Sequence, residues 1–329
     1  MQILRLGRSG LKVSKLCLGT MTFGAGADEA TAFAIMDRFM EAGGTFLDTA
    51  DVYNGGLTEE IVGRWIKERG VRDKIVLATK VYGTTGPAPN ERGLSRIHVQ
   101  RAVEDSLRRL QTEVIDLYQI HRWDFDAPPD ETLEALNDLV RQGKVRYIGC
   151  SNLRAWQIAE YLRISDTHHW SRFVSLQPLY SALNRSIESE ILPYCDRQGL
   201  GVIPYNPLAG GVLTGKYKRG QPLPEETRLS DSEAYRQRYY TETTFDIVEA
   251  FVAAAENHGV TPAQLALAWV LAEPRITAPI IGARTLEQLD DTLGGLDLEL
   301  TPEERDALPA IGPGRWVGRD PVYDREVQQ

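Results

Sequence analysis

The sequence predicts an α/β protein with the (β/α)8 TIM-barrel fold and a short N-terminal β-hairpin. Short apolar runs alternate with longer amphipathic segments along the whole chain, and there are eight such runs. Eight strand–helix units in series are typical of a closed parallel barrel. The chain has 329 residues, and a barrel of this kind commonly occupies about 250 residues or more as one unit. We therefore expect a single barrel domain over residues 1–329.

The predicted strands are short and rich in apolar or β-branched side chains. They lie at residues 16–18, 45–48, 75–79, 114–120, 145–150, 173–177, 201–204 and 278–281. Amphipathic segments between them predict helices at residues 29–41, 58–70, 95–109, 130–142, 154–162, 187–198 and 286–294. Asp28 before the first helix, and Gly70 and Gly143 at the ends of the second and fourth, are residue types that cap helices.

Three regions depart from this alternation. Residues 4–16 contain Gly7 and Gly10 among alternating apolar residues, which predicts a hairpin that plugs the bottom of the barrel. Residues from about 213 to 244 are polar and contain two prolines. We expect them to form a long loop without secondary structure at the top of the barrel, after the seventh strand. The tail from about 310 to 329 shows little pattern.

The composition excludes several classes of protein. The net charge is −9, from 37 basic and 46 acidic residues, which argues against a general nucleic-acid or anionic-membrane binder but leaves room for one basic phosphate pocket. No apolar run approaches the roughly 20 residues of a membrane span, and the N-terminus lacks a signal-peptide pattern, so we expect a cytoplasmic protein. The three cysteines are expected to be buried core residues, because their spacing fits neither a disulfide framework nor a zinc site.

Reactive polar residues fall at the predicted carboxyl ends of successive strands, where barrel enzymes carry their chemistry. Asp48, Lys80 and His121 end the second, third and fourth strands, and Tyr53 follows in the loop after Asp48. Each residue alone fits a structural role as a loop cap, a turn residue, a solvated lysine or a structural histidine. Their joint position at neighbouring strand ends predicts one shared pocket.

This set has a chemical logic for the reduction of a carbonyl group, which needs a hydride at carbon and a proton at oxygen. A tyrosine with a pKa near ~10 is a weak acid, and we expect the charge of Lys80 to lower the pKa of Tyr53. Asp48 would pair with Lys80, and His121 could donate a hydrogen bond to the substrate oxygen. The hydride must come from a cofactor, because no side chain supplies one.

The chain resembles the aldo-keto reductase superfamily over nearly its whole length. The segments that carry the resemblance include Leu18 to Gly24, Asp48-Thr49-Ala50-Asp51-Val52-Tyr53, Thr58-Glu59, Asp116 to His121, Ile148 to Asn152, Gln177-Pro178, Tyr205 to Gly211 and Gly282 to Thr285. The pattern is similar to the bacterial long-loop branch and to potassium-channel β subunits.

The resemblance implies a catalytic tetrad of Asp48, Tyr53, Lys80 and His121, and a nicotinamide cofactor bound without a separate dinucleotide-binding domain. Around the nicotinamide and its ribose it implies Gly19, Thr20, Met21, Asp48, Ser151, Asn152, Gln177 and Tyr205. Along the pyrophosphate it implies Asn206, Pro207, Leu208, Gly210 and Lys216, with Arg228 as an addition. Asn206 stands where many relatives have serine, and Thr292 where relatives often have asparagine.

The choice between NADPH and NADH depends on the segment after the last strand. Gly282 and Arg284 precede a predicted helix, and phosphates bind well at helix N-termini. The guanidinium fork of Arg284 suits a 2′-phosphate, although the alternative is an ordinary exposed loop arginine. The resemblance adds Gln288, Asp291 and Thr292 around the adenosine, so we expect NADPH/NADP+ as the cofactor.

The expected partner is a small-molecule carbonyl compound, and the sequence does not identify it. Candidate pocket residues are Phe23, Tyr53, Tyr82, His121 and Trp123; a packing role for Trp123 is equally open, and sugar-like compounds and simple aldehydes are both open as substrates. Besides a reductase, the sequence allows a nicotinamide-sensing regulatory subunit with little turnover. A barrel metal hydrolase is a third alternative. It is disfavoured because a metal site needs clustered ligands, and His121 alone among the five histidines falls at a predicted strand end. The oligomeric state and the physiological direction of reaction stay open.

Overall fold

The structure is a computed structural model that describes residues 1–318. Its N-terminal hairpin pairs β1 (Ile3–Arg5) with the antiparallel β2 (Lys12–Ser14). Leu6 and Val13 are fully buried and pack against apolar side chains of the barrel strands, among them Phe46. The hairpin therefore closes one end of the barrel interior, as the sequence predicts.

Eight parallel strands form the barrel, each paired with the next in chain order. They are β3 (Cys17–Gly19), β4 (Phe46–Asp48), β5 (Val76–Val81), β6 (Ile115–Ile120), β7 (Val145–Ser151), β8 (Phe173–Gln177), β9 (Gly201–Val202) and β10 (Ile280–Ile281). β10 pairs with β3 in parallel, with Ile280 opposite Cys17. The ring closes between β9 and β10, where the Ile280 backbone N–H donates to the Pro204 carbonyl at 2.7 Å and Tyr205 forms a parallel bridge with Ile280.

The eight-stranded barrel and the position of every strand are thus confirmed, with ends shifted by a few residues. The last two barrel strands are shorter than predicted, with two residues each. Pro204 and Pro279 explain this, because a proline has no N–H to give to a sheet ladder.

Twelve α-helices occupy the described residues. They are α1 (Glu29–Glu41), α2 (Leu57–Arg69), α3 (Arg96–Arg109), α4 (Pro129–Arg141), α5 (Ala155–His168), α6 (Ile191–Gln198), α7 (Arg228–Asp231), α8 (Glu233–Tyr239), α9 (Glu242–Asn257), α10 (Pro262–Leu271), α11 (Leu286–Leu293) and α12 (Pro302–Ala307). The Asp28 side chain caps α1 by accepting from the Thr31 N–H, as expected. α5 runs six residues further than predicted, to a left-handed C-cap at His169.

The expectation of an unstructured loop at 213–244 is wrong. A 3-10 helix (Ala209–Thr214), α7, α8 and the start of α9 occupy this segment. Thr227 and Thr241 cap α7 and α9 by accepting from backbone N–H groups three residues on. The segment 213–244, called the long loop below, is therefore a folded element above β9.

The main apolar core lies between the barrel and its surrounding helices, and a smaller cluster fills the barrel interior. Cys17, Cys150 and Cys195 are all buried and free, as predicted. No helix within residues 1–318 has the length and apolar character needed to cross a membrane. The expected tail is described as far as residue 318, and residues 319–329 lie outside the described part of the chain.

Candidate active site

A cavity of about 410 Å³ opens at the carboxyl ends of the barrel strands. It is lined by residues that end β3, β4, β8 and β10, by the loops after β5 and β6, and by the long loop. Asp48, Tyr53 and His121 all face it. The strand-end reasoning therefore led to this cavity, here called the mouth cavity.

Lys80 joins the other charged and polar groups at the base of the mouth cavity. Its side chain is fully buried, and Nζ donates to Asp48 Oδ2 at 2.5 Å, to the Thr49 carbonyl at 2.8 Å and to the Tyr53 hydroxyl at 3.1 Å. Burial alone would lower the pKa of Lys80, but the adjacent Asp48 carboxylate and the Tyr53 hydroxyl raise it above its usual value. Lys80 thus stays charged next to the tyrosine oxygen.

Asp48 is held from two further sides. Gln119 Nε2 on β6 and Gln177 Nε2 on β8 donate to Asp48 Oδ1 at 3.0 and 2.8 Å. Gln177 also donates to Gln119 Oε1 at 3.3 Å. Both carboxylate oxygens of Asp48 are therefore satisfied, which fixes the carboxylate that orients Lys80.

Tyr53 stands in a short 3-10 helix (Tyr53–Gly56) just after β4. Burial raises the pKa of its hydroxyl above the usual value, and this effect exceeds the opposing effect of Lys80. The sequence expectation of a lowered Tyr53 pKa is therefore wrong in its net direction, although the lysine does act in the expected sense. The hydroxyl keeps its proton at neutral pH.

His121 lies beside Tyr53, with the ring centroids 6.0 Å apart in an edge-to-face arrangement. Burial, together with the nearby Lys80 charge, lowers the pKa of His121 to about 3. The imidazole is therefore neutral at physiological pH and has one N–H to donate.

A hydrogen-bonded chain forms the wall next to His121. The Tyr205 hydroxyl donates to Asn152 Oδ1 at 2.9 Å, and Asn152 Nδ2 donates to the His121 carbonyl at 3.1 Å and to Ser151 Oγ at 3.0 Å. Ser151 Oγ in turn donates to the Gln177 carbonyl at 2.8 Å. Asn152 has a positive φ of 56°, a conformation that asparagine tolerates better than most residues. The wall is thus a continuous polar surface built from residues at the ends of four strands, β6 to β9.

The long loop supplies a further part of the cavity wall. Tyr235 on α8 accepts a hydrogen bond from Asn206 Nδ2 at 2.9 Å, and the guanidinium groups of Arg228 and Arg238 lie 5.5 and 5.3 Å from its ring centroid. All four residues line the mouth cavity. Gly210 fits beneath this wall, since a Cβ there would come within 2.6 Å of the Tyr235 ring.

Three positive side chains gather where the long loop approaches the start of α11. Desolvation and the charges of Arg284 and Arg228 lower the pKa of Lys216. Arg284 donates to the Glu226 carbonyl and lies 3.9 Å from the Asp231 carboxylate. Its backbone N–H donates to Gln288 Oε1 at 3.0 Å. This group of Lys216, Arg228 and Arg284 is called the loop cations below.

Ten of the predicted cofactor-binding residues line the mouth cavity. These are Gly19, Met21, Asp48, Ser151, Asn152, Gln177, Tyr205, Asn206, Arg228 and Gly282. The predicted substrate residues Tyr53, Tyr82, His121 and Trp123 line it as well. Five others lie outside this lining: Pro207 and Leu208 after β9, Gly210 in the 3-10 helix, Lys216 in the long loop and Arg284 before α11.

The side chains of three predicted site residues are buried. The Phe23 side chain is fully buried in the core and does not line the mouth cavity, so its predicted substrate contact is wrong. Thr20 is also fully buried, and its hydroxyl donates to the Asp48 carbonyl at 3.0 Å. Thr292 is buried, and its hydroxyl donates to the Gln288 carbonyl within α11. Asp291 accepts from the Thr261 hydroxyl at 2.7 Å, so its role toward an adenosine stays a prediction.

Several residues of the site were not predicted. Gln119, which donates to Asp48, carries a signal in the sequence, because it is a polar residue inside a mostly apolar strand. Of the cavity-lining residues, Phe125 follows His121 closely, and Tyr235 and Arg238 lie in helix α8. The α8 residues were missed because the long loop was expected to be unstructured.

A second buried charge cluster lies behind the first, away from the mouth cavity. Glu59 accepts from Arg109 at 2.7 Å and from Thr79 Oγ1 at 2.6 Å. The buried Asp51 carboxylate has no hydrogen-bond partner among the described residues, and neither has the Tyr118 hydroxyl. Burial and the neighbouring Glu59 raise the pKa of Asp51 to about 7.

Comparison with known proteins agrees with this geometry. The model of the aldo/keto reductase family matches residues 15–312. The chain belongs to the aldo/keto reductase family.

The relatives include proteins named as an oxidoreductase, a reductase and a channel subunit. The chain is 43% identical to the uncharacterized oxidoreductase YrpG of Bacillus subtilis, over 95% of this chain and 97% of that protein. It is 35% identical to versiconal hemiacetal acetate reductase of Aspergillus parasiticus, over 95% and 99%. It is 36% identical to a protein of Oryza sativa named as a voltage-gated potassium channel subunit beta, over 94% and 96%. As a member of the aldo/keto reductase family, the chain is an oxidoreductase.

Proposed function

We propose that this aldo/keto reductase uses NADPH to reduce an aldehyde or ketone to an alcohol, with Tyr53 as the general acid. The observation that carries the proposal is the position of Lys80 Nζ, which bonds both Asp48 and the Tyr53 hydroxyl at the base of the mouth cavity. A buried, charged lysine that contacts a protonated tyrosine is suited to stabilise the phenolate left after proton transfer.

The residues present fit a nicotinamide cofactor. The Asn152 and Ser151 side chains, with Gln177 next to them, offer donors and acceptors for a carboxamide at one side of the mouth cavity. Tyr205 stands beside them with a ring suited to stack on a flat heterocycle. The loop cations would hold the phosphates, with Arg284 next to the N-terminus of α11 for a 2′-phosphate.

The proton chemistry follows from the geometry. When bound, the cofactor supplies the hydride that becomes the new C–H bond. His121, neutral at physiological pH, donates its N–H to the carbonyl oxygen and orients it. Tyr53 transfers its hydroxyl proton to that oxygen as the C=O π bond breaks, and the charge of Lys80 stabilises the resulting tyrosinate. Asp48 keeps Lys80 in place through the shortest contact of the network.

The test measures NADPH oxidation with a panel of aromatic, aliphatic and sugar-like aldehydes and ketones. The loss of nicotinamide absorbance reports the reaction. The proposal expects multiple turnovers with at least one class of carbonyl and formation of the matching alcohol. A protein that binds NADPH but oxidises no more than one equivalent with the whole panel would overturn it. That result would favour the alternative of a nicotinamide-sensing regulatory subunit, and one relative is named as a potassium channel subunit beta.

A further inference from the structure

The part of the mouth cavity beyond His121 combines the positive charge of one arginine with a wall of aromatic rings. Arg122, Trp123 and Phe125 follow the catalytic histidine directly, and Tyr82 comes from the loop after β5. All four line the cavity. They form a group that is called the outer wall below, and the carbonyl chemistry proposed above does not use it.

Arg122 has no acidic partner among residues 1–318. Its guanidinium carbon lies 5.1 Å from the centroid of the Tyr82 ring, and its Nε is buried without a hydrogen-bond partner in the described structure. The closest acid in sequence, Asp124, bonds other groups: its two carboxylate oxygens accept from the Leu94 N–H at 2.7 Å and the Asp126 N–H at 3.0 Å. Within residues 1–318, the positive charge of Arg122 therefore lines the cavity without a carboxylate partner.

The aromatic part of the outer wall is rigidly packed. The Trp123 ring contacts Phe125 at a centroid distance of 6.4 Å, Trp156 at 5.3 Å and the buried Tyr161 at 5.2 Å. Phe125 keeps 53% of its surface exposed. A ring held from behind by other rings loses little conformational freedom on binding, so it is suited to pack against a flat ligand.

Charge on the cavity wall also points to an anionic ligand. The one carboxylate that lines the described cavity, Asp48, is held by Lys80 and two glutamines. The arginines are Arg122 on the outer wall and Arg228 and Arg238 on the long-loop wall. A guanidinium group binds a carboxylate with paired, charge-assisted hydrogen bonds.

From this juxtaposition we propose that the outer wall is a substrate subsite for aromatic carbonyl compounds that carry an anionic substituent, with Arg122 binding the anion and Trp123 and Phe125 packing on the ring. The proposal rests on the proposed carbonyl reduction, since it names the substrate class for that same site. Because Arg122 and His121 both line the mouth cavity, a single ligand can present its carbonyl group to His121 and its anionic group to Arg122.

The experiment compares 4-carboxybenzaldehyde with its neutral methyl ester, methyl 4-formylbenzoate, as substrates for the NADPH-loaded enzyme. We expect Arg122→Gln to lower kcat/KM for the carboxylate by about 10- to 100-fold, the effect of losing a charge-assisted pair, and to leave kcat/KM for the ester nearly unchanged. Arg163→Gln on α5, an exposed arginine paired with Glu160, is the matched control and should change neither value. Arg238→Gln tests the rival arginine on the other wall.

The outcomes separate the subsite from the proposed function. If all variants reduce both aldehydes with the same preference, or if only Arg238→Gln removes the preference for the carboxylate, the Arg122 subsite is wrong while carbonyl reduction stands. If no aldehyde is reduced, equilibrium binding of 4-hydroxymethylbenzoate to the NADP+-loaded protein, read by tryptophan fluorescence, still decides the subsite. Binding that weakens in Arg122→Gln but not in Arg163→Gln supports it, and equal or absent binding overturns it.

Discussion

The strand ends and the loops of this barrel carry polar groups in opposite ways. At the strand ends, Asp48, Lys80 and Tyr53 are linked to one another within 3.1 Å and are shielded by the barrel. In the loops, Lys216 and Arg228 lie close to Arg284. Among the described residues, the Arg284 side chain donates to the Glu226 carbonyl and lies 3.9 Å from the Asp231 carboxylate. The hydrogen bonds at the strand ends are satisfied without a ligand. The loop cations repel one another, so a bound anion would stabilise them.

This difference suggests a division of labour between the two regions. A pre-organised network with fixed hydrogen bonds suits proton transfer, which depends on geometry. An excess of positive charge at the entrance of a cavity suits the binding of a cofactor phosphate. We therefore attribute the chemical step to the strand ends and cofactor selection to the loop cations.

The largest expected effect concerns the strand ends. Tyr53→Phe should lower kcat for carbonyl reduction by about 10²- to 10⁴-fold, the usual contribution of a general acid, because the phenyl ring has no proton to give. NADPH affinity, measured by fluorescence titration, should stay nearly the same. Tyr240→Phe, an exposed tyrosine of the long loop, serves as the matched control. Full activity in Tyr53→Phe would contradict the assignment of Tyr53 as the general acid.

The second prediction concerns the stability of the strand-end region. In the folded state the pKa of Asp51 is raised to about 7, whereas an unfolded aspartate titrates near ~3.9. Between these values the folded protein binds a proton that the unfolded chain lacks, so the free energy of unfolding falls as the pH rises from about 4 to about 7. Asp51→Asn should remove this slope, a difference on the order of 2 to 4 kcal/mol across the window.

Urea unfolding of the wild type and of Asp51→Asn at pH 5 and pH 8 measures this difference. Asp231→Asn is the control from the loop region, because its carboxylate is exposed and its substitution should leave the pH slope as it is. The same pH slope in Asp51→Asn as in the wild type would contradict the assignment of the buried carboxylate.

The smallest expected effect concerns the loop cations. Arg284→Ala should weaken NADPH binding by about 10- to 100-fold, since one charge-assisted contact to the 2′-phosphate is lost. NADH has no such phosphate, so its affinity should not change. Arg38→Ala, an exposed arginine that pairs with Asp290 of α11 at 2.8 Å, controls for charge on the same face. Equal losses for both cofactors would show that Arg284 does not select the phosphate.

How far the sequence could predict the molecule also differs between the two regions. The strand ends follow from short apolar runs, so Asp48, Lys80 and His121 could be placed in one pocket by counting strands. The net rise in the Tyr53 pKa could not be foreseen, because it depends on how deeply the hydroxyl is buried. Phe23 was misplaced for a similar reason: the loop after β3 turns its ring into the core.

The long loop was harder to predict because its helices are short and polar. α7 and α8 have four and seven residues, too few to show a clear helical period. Signals existed for the missed helices that follow: Thr241 caps α9, and Thr261 with Pro262 and Gln264 is a capping box with proline in the first turn. Tyr235 lines the cavity because it lies on α8, so its position could not be predicted without that helix.

The most direct test of the division of labour is a single-turnover measurement. Each protein is saturated with NADPH and mixed with an aldehyde that the wild type reduces, and the loss of nicotinamide absorbance gives the rate of the chemical step. The account predicts that Arg284→Ala, once saturated, reacts at nearly the wild-type rate, while Tyr53→Phe binds NADPH normally and reacts about 10²- to 10⁴-fold more slowly. A slow step in saturated Arg284→Ala, or a wild-type rate in Tyr53→Phe, would contradict it.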